Sequence, residues 1–190
     1  MLSLYLIKCI RLYGMPKAKT ITRTSSLRKD LVEALEKEAR DRELSTSALM
    51  NQTIDRSIHL IWPSEKTGSL VIAHDIVKSL AEAVSSENIR KIAAISAQIH
   101  KNTAMVVMGT EQKLESVLNL FETSYGKNSR WFKWSNTVNG RDNRILLIHE
   151  LGQNWSIFLE AYFKSFFMEM LDIQVKSSYT DKTVVFEFKA

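Results

Sequence analysis

The chain changes its hydrophobic period several times, and each change marks an element. Thr20, Thr22, Thr24 and Ser26 alternate with Ile21, Arg23, Ser25 and Leu27, a period of two that predicts a strand with its small hydroxyls on one face. From Leu27 the period lengthens. Leu27, Leu31, Leu35 and Ala39 recur every four residues, and Glu33, Glu36, Lys37, Arg40 and Asp41 fill the other side, the signature of an amphipathic helix. Ser45-Thr46-Ser47 then offers an N-cap, with Leu49, Ile54 and Ile58 as the buried stripe of a second helix.

After Trp62 the segment 63–69, P-S-E-K-T-G-S, reads as a linker. Beyond it lie a short lead-in to His74, helical periodicity over 75–84 and 87–99, and a brief apolar run, Ala104 to Met108, that predicts a strand. Glu111 to Ser124 is a second amphipathic pattern, with Leu114, Leu118 and Phe121 on one face. Trp131 to Val138 and Arg144 to Leu151 predict a hairpin around Asn139-Gly140-Arg141-Asp142. Gln153 to Leu171 predicts a long helix dense in aromatic residues, and 173–179 with 182–189 predict a closing pair of strands. The fold class expected is α+β, with helices on one face of an antiparallel sheet over 70–190.

The order at 17–62, a basic Thr-rich strand, a helix, a tight turn and a second helix, resembles the ribbon-helix-helix DNA-binding family of transcription regulators. The resemblance implies an intertwined homodimer whose paired N-terminal strands enter the major groove of double-stranded DNA. It also implies dimers bound side by side, as a tetramer on DNA. Thr22, Thr24 and Ser26 would then read bases. Lys17, Lys19, Arg23 and Arg28 would hold phosphates, and the backbone amides around Ser45, Thr46 and Ser47 would clamp another. Glu43 stands where the family turn carries Gly, so it either takes a left-handed conformation or reshapes the turn. Independently of the family, so short a segment buries too little apolar surface to stand alone, and an unpaired strand needs a partner. Both arguments lead to a dimer.

Charge supports this reading without specifying it. Over 190 residues the net charge is +5 and the isoelectric point is near 9.3, which favours polyanions modestly. No apolar run approaches a membrane span, and a single cysteine, Cys9, suits a reducing cytoplasm. Residues 1–14 are apolar and basic without a cleavage site. They read either as an extension upstream of a start at Met15 or as a short arm touching a membrane or partner.

The function of the second domain is less legible. A ribbon-helix-helix followed by a small α+β domain is similar to the nickel-responsive repressors, but His59, His74, His100 and His149 lack ligand spacing and Cys9 lies elsewhere; no metal and no cofactor are expected. His149, Glu150 and Trp155 either line a ligand pocket for an unknown effector or serve the core, with Gly152 making the turn. No nucleophile–base pair, phosphate loop or paired carboxylates point to catalysis. The leading expectation is a dimeric transcription regulator. An antitoxin-like autorepressor and a ligand-binding protein that uses its N-terminal part only to dimerise are the alternatives.

Overall fold

The computed structural model describes residues 21–70 and 72–190. The extension at 1–14, the start at Met15, and Lys17, Lys19 and Thr20 lie outside the described residues. The chain forms two compact units, one ending at Thr46 and the other spanning Ser47–Ala190.

Residues 21–28 carry no regular secondary structure and all are exposed; the strand expected there is not assigned within this chain. Helix α1 spans Lys29–Asp41, with Ala39 buried. Its C-terminus closes in a Schellman pattern. Leu44 N–H donates to Ala39 O at 2.8 Å and Glu43 N–H to Arg40 O at 3.0 Å, and Glu43 has φ 55°. Of the two outcomes open at Glu43, the left-handed conformation is the one adopted. A side chain there costs about 1–2 kcal/mol relative to glycine's freedom, offset by the two satisfied carbonyls.

Helix α2, Thr46–Arg56, does not end near Trp62. It widens into a π turn over Ser57–Ile61, closed by Trp62 N–H on Ser57 O, and continues as α3, Trp62–Thr67. The linker expected at 63–69 is therefore helical over most of its length. Pro63 explains both the misleading signal and the π turn. Proline has no N–H to give the carbonyl four residues earlier and its ring crowds that carbonyl, so the ladder loosens just ahead of it. The orphaned carbonyl of His59 instead takes a hydroxyl hydrogen bond from Ser124 at 3.5 Å. The stop comes at Gly68, φ 67°, with Ser69 N–H on Ser64 O at 2.9 Å. The expected domain boundary at 62/63 moves accordingly, because α2 from Ser47 onward belongs to the C-terminal unit and is tied into it by Asp55–Lys127 at 2.8 Å.

Helices α4, His74–Glu82, and α5, Ser86–Val106, follow. The strand expected at 104–108 is instead the last turn of α5 and its cap, with Val107 N–H on Thr103 O and Thr110 N–H on Ala104 O, both 2.9 Å. Apolar residues cluster there because the helix end packs, with Ala104 fully buried. Helix α6, Leu114–Leu120, runs into a second π turn, Phe121–Asn128.

The remaining elements are β1 (Lys133–Asn139), β2 (Asp142–Ile148), α7 (Gln153–Leu171), β3 (Lys176–Tyr179) and β4 (Thr183–Lys189). The sheet is antiparallel in the order β1-β2-β4-β3, with Ile145 opposite Phe186 and Leu147 opposite Val184. Those four side chains are buried on one face. Helix α7 lies in the core with ten buried residues, including Phe158, Tyr162, Phe163, Phe166 and Phe167. Phe121 stacks on Phe163 at 4.2 Å and Phe163 on Phe186 at 5.0 Å, so the second π turn, α7 and the sheet share one aromatic stack. The C-terminal domain is α+β, with a four-stranded antiparallel sheet. No helix among the described residues is long and apolar enough to cross a membrane.

Candidate nucleic-acid interface

Thr22, Arg23, Thr24 and Ser26 are all exposed in the segment leading to α1. Ile21 is 70% exposed, and Leu27 and Leu31 remain half-exposed beside them. Arg28 occupies the N-cap position of α1 in an extended conformation. Its guanidinium forms a two-point pair with Asp30, Nε–Oδ1 at 3.1 Å and Nη2–Oδ2 at 2.7 Å. The sequence pattern gives no hint of this pairing, although only one residue separates the two. Phosphate binding by Arg28 would exchange one oxyanion for another.

Ser45 immediately precedes α2, Thr46 opens it, and Ser47 lies in its first turn. The turn from α1 delivers the chain there within three residues, Arg42 to Leu44. A helix start of this kind presents backbone N–H groups and the positive end of the helix dipole. Two acids of α1 pair with nearby bases, Glu33 with Lys29 at 3.7 Å and Glu38 with Arg42 Nε at 2.6 Å. Ahead of α1 the described basic residues are Arg23 and Arg28, the latter paired with Asp30.

His149, Glu150 and Trp155 sit in different surroundings. His149 is buried, with Nε2 at 2.9 Å from Ser156 Oγ and Nδ1 accepting Leu151 N–H at 3.2 Å. Burial lowers its pKa to about 4. Glu150 is exposed and faces Lys182 at 3.8 Å. Trp155 stacks on Phe158 at 4.8 Å and packs against the core. Gly152, with φ 82°, makes the turn that starts α7. A hollow of about 620 Å³ opens elsewhere, lined by Thr137, Arg144, Lys176, Glu187 and Lys189. Four of its charges pair across the sheet, Arg144–Glu187 at 3.4 Å and Asp142–Lys189 at 3.7 Å.

Two polar clusters escaped the sequence reading. The buried carboxylate of Glu160 accepts from Arg90 at 2.8 Å, Lys164 at 2.9 Å and Ser177 at 2.8 Å. Burial pushes its pKa up, but these donors outweigh burial and hold it below the usual range. The spacing of Glu160 and Lys164 on one helix face hinted at part of this; Arg90, seventy positions away, left no local sign. His100 meets the Tyr162 hydroxyl at 3.0 Å, and burial lowers the histidine and raises the tyrosine well above its ordinary value. Compared with known protein families and curated proteins, the chain matches none.

Proposed function

We propose that this chain is a homodimeric, sequence-specific DNA-binding regulator of the ribbon-helix-helix type, with its C-terminal domain serving assembly or an effector. The observation that carries the reading is the turn from Asp41 to Thr46. A Schellman closure with Glu43 in the left-handed position delivers α1 directly to the Ser-Thr-Ser start of α2, the connection that the resemblance requires. The exposed run of Thr22, Arg23, Thr24 and Ser26, flanked by exposed Ile21 and Leu27, supports it. A second copy pairing along this segment would cover the apolar residues and satisfy the strand edge. Thr22, Thr24 and Ser26 then read base edges, Lys17, Lys19, Arg23 and Arg28 hold phosphates, and Ser45 to Ser47 present the amides of the α2 start.

The test is selection of genomic DNA fragments by the purified chain, beside a Thr22→Ala/Thr24→Ala variant. Enrichment of a short, roughly palindromic site that disappears in the variant supports the reading. Retention of DNA by both proteins without sequence preference removes it.

A further inference from the structure

Helix α5 has two apolar faces, and among the described residues only one of them is buried by the rest of the chain. Ile89, Ala93, Ala97 and Ala104 are buried and α5 lies along α7. The opposite side carries Asn88, Ile92, Ile95, Ile99, Asn102 and Val106, separated by four, three, four, three and four residues. That is an unbroken alternation of heptad core positions over nearly the whole helix. Its apolar members are open to solvent: Ile92 is 45% exposed, Ile95 59%, Ile99 58% and Val106 84%. Isoleucine and valine are among the weaker helix formers, so the composition of an exposed helix face needs a reason other than propensity.

We infer that this face of α5 is a pairing seam for a second copy of the same chain, with the two α5 helices parallel. Three features select that occupant. The seam carries no charged residue, and the positions that flank it are Lys91, Gln98 and Met105 on one side and Ser96 and Thr103 on the other. A parallel copy would therefore set Lys91 against Ser96 and Gln98 against Thr103, with no like charges opposed. Second, the Asn positions choose the direction. In a parallel pair each layer sets a residue against itself, so Asn88 meets Asn88, Asn102 meets Asn102, and the isoleucines meet isoleucines. An antiparallel pair that uses all six positions sets Asn88 against Val106 and Asn102 against Ile92, leaving amides against hydrocarbon. Third, a two-fold axis makes the same patch serve both partners. A seam with no charge is compatible with itself, which a basic or acidic partner surface would not require.

The seam goes beyond the ribbon dimer proposed above and stands on α5 alone. If both hold, joining at the N-terminal segment raises the effective concentration of the second contact, so a single helix pair suffices there.

The test uses the full chain with Cys9→Ser and one new cysteine at a time, exposed to mild oxidant and resolved without reductant. Asn88→Cys, Ile95→Cys and Asn102→Cys should each give a disulfide-linked dimer, because core positions of parallel helices bring like residues within disulfide reach. Ala94→Cys, exposed on a different part of α5, should give severalfold less. Failure of both Asn variants to exceed Ala94→Cys overturns the seam, even if Ile95→Cys reacts, since an antiparallel crossing near the helix centre could do that. Dimer mass in sedimentation without these crosslinks would sink the seam and leave the ribbon dimer standing. Crosslinks without DNA retention would do the reverse.

Discussion

The imidazole of His149 holds Ser156 Oγ at 2.9 Å and joins the end of β2 to the first turn of α7. Because Nδ1 accepts the Leu151 N–H, the ring is neutral with its proton on Nε2, donated to Ser156. Protonating Nδ1 would break that acceptor and charge a buried ring, which is why burial dominates the lowering of its pKa from 6.5 to about 4.

The sign of the pH effect follows. Above about pH 6.5 the ring is neutral in folded and unfolded chains alike, and His149 confers no pH dependence. Between 6.5 and about 4 only the unfolded chain takes up the proton, so folding weakens by on the order of 3 kcal/mol. His100 is lowered in the same direction and adds to the trend. Urea unfolding at neutral and mildly acid pH should therefore show a smaller acid loss in His149→Gln than in the parent. Equal losses in the two proteins would mean that His149 is not held neutral.

Glu160 ties α5, α7 and β3 through three donors. Glu160→Leu should cost about 2–4 kcal/mol, since it leaves two cations and a hydroxyl facing an apolar side chain. Arg90→Gln should cost about 1 kcal/mol or less, because the Arg90 side chain is 46% exposed. Chemical denaturation distinguishes them, and a larger loss in Arg90→Gln would reverse the assignment of the buried partner.

Glu43 takes φ 55° where glycine is at ease. Glu43→Gly should raise stability by about 1 kcal/mol, read from the unfolding midpoint followed by helix content. A loss on substitution would show that the Glu43 side chain itself supports the turn.

On DNA, cations and hydroxyls should separate. Arg23→Ala and Lys19→Ala should weaken binding to every sequence and reduce the dependence of log K on log salt by about 0.9 for each phosphate that is no longer neutralised. Thr22→Ala or Thr24→Ala should cost about 1–3 kcal/mol on the preferred site and little elsewhere. Titrations at several salt concentrations on preferred and scrambled sites decide it. Threonine variants that behave like the cation variants would remove the assignment of base readers.

Elements that bury their own pattern were legible. Gln153–Leu171 was readable to the residue, because its aromatic run follows the turn at Gly152. The hairpin at Gly140-Arg141 announced itself through turn chemistry. Pro63 misled because proline both ends helices and is tolerated at their first turn, and only the π turn ahead of it decides between the two. The apolar run at 104–108 misled because a strand and a packed helix end look alike over so few residues. The candidate interface was legible only as a linear pattern. Thr22, Thr24 and Ser26 alternate in the sequence, whereas a paired ribbon is a property of two chains. The Glu160 cluster is a long-range meeting of ordinary residues and has no linear pattern.

The sheet order carries a consequence for synthesis. β4, the latest of the four strands in the sequence, lies between β2 and β3, so neither neighbour is joined to the other until residue 189 has left the ribosome. By then α7 has already emerged with its phenylalanines, and α5, the β1–β2 hairpin and β3 are there to pack on it before β4 arrives. The nascent chain thus passes through an interval in which its aromatic helix lacks the strand that completes the sheet, the kind of species that chaperones hold.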